Sequence, residues 1–281
     1  MNAWPIGVFT SIDAGLGVKL EVVDELNIPT IQLHAPHAPT RTEKHAQLFL
    51  DQIRSLGVEL TAVFGGFNGE SYADIPTVTR TVGLVPAETR QTRLEEMKHI
   101  ADFAKRLGCS VVALHLGFIP EGSDSKLFSE VVEVTRVLLD YIARNDQCLH
   151  LETGQESAEG LVDFIKHVDR ANLFVNFDPA NMILYGTGDP IEAVRILGEY
   201  IRSVHCKDAT WAENPGKEWG CEVPLGAGQV DMEEYLRALH SVGYHGPLTI
   251  EREIPSEPIR QKQEIKHAVD LLTELRSKIL V

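Results

Sequence analysis

Short β-rich runs and longer helical patterns alternate eight times along this chain. Strand then helix, repeated without interruption, points to a parallel sheet, because parallel neighbours need a crossover and a helix is the usual one. The pattern predicts strands at residues 6–9, 30–33, 59–64, 110–114, 148–151, 173–177, 201–204 and 247–250. Helices are expected at 17–26, 42–56, 87–107, 125–145, 157–167, 190–197 and 231–242, with a closing helix to Leu280. Gly57 and Gly108 stand where helices end, and Asp189-Pro190 reads as an N-cap followed by a first-turn proline.

Eight such units favour an α/β fold, a single (β/α)8 TIM barrel filling residues 1–281 as one domain. A doubly wound open sheet would use the same units but would carry a glycine-rich phosphate loop after its first strand. Asp13-Ala-Gly-Leu-Gly-Val lacks the third glycine of that loop. No linker or composition shift divides the chain. The longest irregular stretches, 65–86 and 209–230, follow strands three and seven and are expected to overhang the active-site face.

Hydrophobic residues make up 43% of the 281 residues and charged ones 24%, which fits a globular core and excludes a disordered or fibrous class. No apolar run approaches the roughly 20 residues of a membrane span. The opening Met1-Asn-Ala-Trp-Pro-Ile-Gly-Val-Phe lacks the basic start and long apolar stretch of a secretory signal, so a cytoplasmic location is expected. The four cysteines form no C-x-x-C pair, which argues against a disulfide framework or a structural zinc site. A net charge of −15 opposes nucleic acid as a partner. The helix face of Leu94, Met97, Ile100 and Ala104 suits barrel packing first, and leaves a homo-oligomer open.

Four of the predicted strands end on a residue able to bind a divalent cation: Glu152, Asp178, His205 and Glu251. A side chain in that position sits at the carboxyl end of its strand, where parallel barrels open their sites. Hard or borderline cations favour oxygen donors with an imidazole, so one manganese, cobalt, magnesium or zinc ion suits the set. Taken singly, each residue has a plainer explanation. Glu152 could cap the following helix, Asp178 could shape a turn before Pro179, His205 could be a hydrogen-bonded core residue, and Glu251 could be a surface charge. Their agreement at successive barrel positions favours the metal.

Around these residues the chain resembles the xylose-isomerase-like barrel superfamily, in its sugar phosphate isomerase/epimerase group. The motifs that carry the resemblance are His115-Leu-Gly, Leu151-Glu152, Phe177-Asp178-Pro-Ala-Asn181, Val204-His205-Cys-Lys207-Asp208, Pro224-Leu-Gly-Ala-Gly228-Gln-Val-Asp231 and Ile250-Glu251. The resemblance implies one divalent metal on Glu152, Asp178, His205 and Glu251, with Glu152 and Glu251 also exchanging protons with the substrate. It implies a metal-dependent isomerase or epimerase of a small sugar or keto-polyol, acting next to a carbonyl through an enediolate. A lyase or dehydratase on a keto-sugar or inosose would use the same site, and a sugar-binding barrel without turnover is the non-enzymatic alternative.

Substrate contacts are expected from His115, Lys207, Asn181, His34 and Trp211, with Trp219 an equal candidate for stacking. Lys207 could instead pair with Asp208, or neutralise Glu152 and Asp178. Two features depart from ketose 3-epimerases. Asn181 stands where they carry a histidine, and only Lys217 lies between Asp208 and Asp231, where they carry an arginine. The endonuclease branch needs three zinc ions and further histidine ligands that this chain lacks.

Overall fold

The computed structural model describes residues 4–122, 124–254 and 256–280. Eight parallel strands close into a barrel: β1 (Ile6–Ser11), β2 (Thr30–His34), β3 (Glu59–Gly65), β4 (Val111–Leu114), β5 (Cys148–Glu152), β6 (Leu173–Phe177), β7 (Ile201–Cys206) and β10 (Leu248–Ile250). Each strand pairs with its sequence neighbours, and β10 returns beside β1 to complete the ring. The expected (β/α)8 architecture is therefore the observed one. The outer helices are α1 (Leu20–Glu25), α2 (Glu43–Leu56), α4 (Ala87–Arg106), α5 (Lys126–Ile142), α6 (Ala158–Val168), α8 (Pro190–Leu197), α9 (Met232–Ser241) and α10 (Pro258–Ile279). None of them is long and apolar enough to cross a membrane.

Local chemistry sets the helix ends. Thr42, Ser125, Ser157, Asp189 and Asp231 each accept a backbone N–H of the first turn, which satisfies a donor the helix itself cannot. Gly57 closes α2 in the left-handed region. The Leu94, Met97, Ile100 and Ala104 face of α4 is buried in the core between helices and barrel, so barrel packing accounts for it.

Three elements depart from the sequence reading. Segment 65–86 is not wholly irregular, since α3 (Ile75–Thr81) forms there, capped by Asp74 with a proline in its first turn. It buries Val78 alone, too little to show a helical period. A second short helix, α7 (Pro179–Tyr185), starts directly after β6. All of its residues except Leu184 are buried, so it presents no polar face to reveal it. Segment 209–230 contains all but the first residue of an antiparallel hairpin, β8 (Asp208–Thr210) with β9 (Cys221–Val223).

The strands lining the barrel lumen are of two unlike kinds, and the polar β2 lies between the apolar β1 and β3. Phe9, Ala62, Phe64 and Ala113 form an apolar cluster separate from the main core. Gln32, His150, Asn176, Ser203 and Thr249 are buried polar residues of β2, β5, β6, β7 and β10. His150 Nδ1 lies 2.7 Å from Ser203 Oγ, and burial pushes the His150 imidazole down to about 3.

Candidate metal centre and its cavity

Glu152 is the last residue of β5, His205 lies in β7, and Asp178 and Glu251 follow directly on β6 and β10. These four strands are consecutive around the barrel, and one ligand atom from each residue lies within 4.8 Å of all the others. Asp178 and His205 are fully buried, and Glu152 and Glu251 nearly so. His205 Nδ1 is the focus: Glu152 Oε1 is 2.9 Å away, Glu251 Oε2 3.3 Å and Asp178 Oδ2 3.4 Å. Burial alone would lower the His205 pKa, but the charges of Glu251 and Glu152 raise it well above the usual value.

Asp178 serves two purposes. Its Oδ1 accepts the Asn181 backbone N–H at 3.0 Å, capping α7, while the buried Oδ2 has no hydrogen-bond partner. The turn-shaping role open to it in the sequence is thus real and coexists with its place in the cluster. Burial raises the Asp178 carboxyl. Three carboxylates converging on one imidazole nitrogen, one with an orphaned oxygen, are costly to bury without a cation. The donor set, three oxygens and one nitrogen, fits one divalent ion.

Groups beside the cluster hold individual carboxylate oxygens. His115 Nε2 is 3.0 Å from Glu152 Oε2, and Asn181 Nδ2 donates to Glu152 Oε1 at 3.2 Å. Lys207 Nζ donates to Glu251 Oε2 at 2.9 Å. Burial would raise the Glu251 carboxyl, but Lys207 and His205 hold it well below its usual value. Lys207 therefore pairs with Glu251, in place of either partner considered from the sequence. Asp208 instead accepts the backbone N–H groups of Ala209, Gly226, Gly228 and Val230. A Cβ on Gly228 would clash with that carboxylate, which explains the glycine in Pro224-Leu-Gly-Ala-Gly228.

The cluster floors a cavity of about 1010 Å³. His115, Asn181, Lys207 and His34 all line it; His34 Nδ1 donates to the Ala35 carbonyl at 3.1 Å. Trp211 does not line it. Its ring packs on the core while its backbone N–H donates to Gln229 Oε1, and Trp219 takes the wall position beside Tyr185, the ring centroids 4.5 Å apart. Tyr72, 5.9 Å from the His115 ring, reaches the cavity from a loop, and Glu222 reaches it from the three-residue β9, both too short or irregular for sequence periodicity to give a direction. Gln32 is the most consequential residue the sequence reading missed: its Oε1 lies 2.7 Å from His205 Nε2. Its signal was the alternation Thr30, Gln32, His34 within an otherwise apolar strand, which points polar groups into a lumen.

Barrel, carboxyl-end cluster and overlying cavity define a TIM barrel with a candidate metal site. The chain belongs to the xylose isomerase-like TIM barrel family, which it matches over residues 20–275. It is 59% identical to a xylose isomerase domain protein from Planctomyces limnophilus, covering 99% of each chain at a TM-score of 0.97. L-ribulose 3-epimerase shares the fold at 15% identity and a TM-score of 0.73, covering 98% of this chain and 95% of that one. An uncharacterized protein of Methanocaldococcus jannaschii is 23% identical over 66% of this chain, and the match spans 65% of that relative's length.

Proposed function

We propose that this protein is a divalent-metal-dependent isomerase or epimerase of a small neutral sugar or keto-polyol. The observation that carries the reading is the convergence of Glu152, Asp178, His205 and Glu251 beneath one cavity. A divalent ion held by these four residues would supply Lewis-acid polarisation of a substrate carbonyl and neighbouring hydroxyl, acidifying the carbon-bound proton between them.

Glu251, held ionised by Lys207, can act as the first base. It takes the proton from carbon, and the electron pair moves into the adjacent carbonyl. Glu152, on a strand three positions round the barrel and steadied by His115 and Asn181, returns a proton. Return to the same carbon from the opposite face gives an epimer; return to the neighbouring carbon gives an aldose–ketose pair.

Electrostatics narrow the substrate. Glu70, Glu96, Glu152, Glu222, Glu251 and Glu253 line the cavity, against Arg41 and Lys207. Both cations are already paired, Arg41 with Glu96 at 2.8 Å and Lys207 with Glu251. A phosphate or carboxylate on the substrate would therefore meet negative charge and no free cation among the described residues, which favours neutral polyols.

The test is metal-dependent hydrogen exchange in deuterated water, followed by NMR with ketoses, 3-keto-sugars and inososes, and with hydroxypyruvate as the anionic comparison. Deuterium entering next to a carbonyl in a neutral compound, with an isomer as product, is expected. Loss of water or an alcohol would replace the isomerase with a lyase. Metal uptake without exchange in any neutral compound would overturn the reading.

A further inference from the structure

We propose that Gln32 is a positioning residue for the metal centre: across the barrel lumen, it fixes the proton of His205 on Nε2 and so presents the Nδ1 lone pair to the metal. The inference rests on the reading that His205 and the three carboxylates hold a divalent ion.

An imidazole ligates through one nitrogen, and the hydrogen bond at the other decides which one is available. His205 Nε2 sits 2.7 Å from Gln32 Oε1. A carboxamide oxygen only accepts, so Oε1 facing Nε2 calls for a proton on Nε2. Gln32 Nε2 in turn donates to Asn176 Oδ1 at 3.3 Å. The carboxylates at the far end of the chain Asn176–Gln32–His205 set its direction, because a metal among them would take Nδ1 and leave the proton to Nε2. At its far end Nδ1 faces Glu152, Glu251 and Asp178.

Gln32 reaches His205 from β2, three strands round the ring from β7, so the link crosses the lumen and does not run along the sheet. The imidazole cannot turn to escape it. Phe9 lies edge-on at 5.8 Å and Phe64 lies tilted at 5.2 Å between ring centroids. Gln32 itself is 1% exposed, too deep to touch a substrate in the cavity, and it is absent from the cavity lining. Its polarity is thus explained by His205.

Two measurements test this. In protein labelled with nitrogen-15 histidine and loaded with cadmium-113, metal coupling is expected on Nδ1 of His205 and the proton on Nε2. Coupling on Nε2 would overturn the inference without any variant. In manganese titrations by calorimetry, Gln32→Met should bind about 10 to 100-fold more weakly than wild type. Gln32→Glu should bind much as wild type does. Its carboxylate still accepts from Nε2, and a turned Asn176 amide can donate to it through Nδ2, which otherwise has no partner. Wild-type affinity in Gln32→Met, or equal weakening in both variants, would overturn the positioning role alone. A wild-type protein that takes up no manganese or cadmium would bring down the metal reading with it.

Discussion

The apolar and the polar strands around the barrel lumen solve one packing problem in different ways. On the first, Phe9, Ala62, Phe64 and Ala113 fill space by alternating large and small apolar groups. On the second, Gln32, His150, Asn176, Ser203 and Thr249 fill it with polar groups that need partners, and mostly find them in one another. The apolar strands confine the His205 ring, and the polar strands tell its nitrogens apart. The difference teaches that a lumen can carry orientation as well as volume: packing holds the ring's plane, and only a directional bond selects a nitrogen.

That contrast can be broken or sharpened at several depths. The largest effect belongs above the lumen, where Glu152→Gln and Glu251→Gln should each lower proton exchange about 10²- to 10⁴-fold while melting temperatures stay near wild type. Normal turnover in both would remove the two-base assignment. On the apolar strands, Phe64→Ala should cost about 3–5 kcal/mol in chemical denaturation. A cost near zero would mean that these strands do not depend on packing.

On the polar strands, the buried His150 should make stability depend on pH. It is neutral in the fold with a pKa of about 3, against 6.5 ordinarily, so the unfolded chain binds its proton first as pH falls. Its contribution is full above pH 6.5 and is lost as pH falls from there towards 3. Between pH 7 and 4.5 the wild type should lose roughly 3 kcal/mol more than His150→Leu does, read from paired denaturation curves. Parallel pH profiles would contradict a neutral, buried His150. The smallest effect is expected at Thr249, whose buried hydroxyl has no partner. Thr249→Val should change stability by less than about 1 kcal/mol, because it removes an unsatisfied group and keeps the shape.

Much of this arrangement was legible in the sequence because period and punctuation agree. Apolar runs ending in Glu152, Asp178, His205 and Glu251 located the strand ends, and strand ends in a parallel barrel converge on one rim. The Asp189-Pro190 cap was equally local and equally readable. What escaped depends on which way a residue faces. The α7 helix has no polar face, so its buried residues gave no helical period. Trp211 and Trp219 belong to the same loop, and only the tertiary path puts the second at the cavity. Lys207 had Asp208 in its own motif and Glu152 and Asp178 on other strands as candidate partners, and the closing of the ring beside β10 gave it Glu251. Gln32 is 173 positions from His205, and no spacing rule connects them.

Asn181 touches two members of the cluster at once, through its backbone N–H on Asp178 and its side-chain amide on Glu152. One residue thus carries two reporter hydrogens on opposite arms of the same centre. Their resonances should move when the charge between those carboxylates changes. A single asparagine spin system would then serve as an occupancy gauge for the whole site, readable without substrate and without altering any ligand.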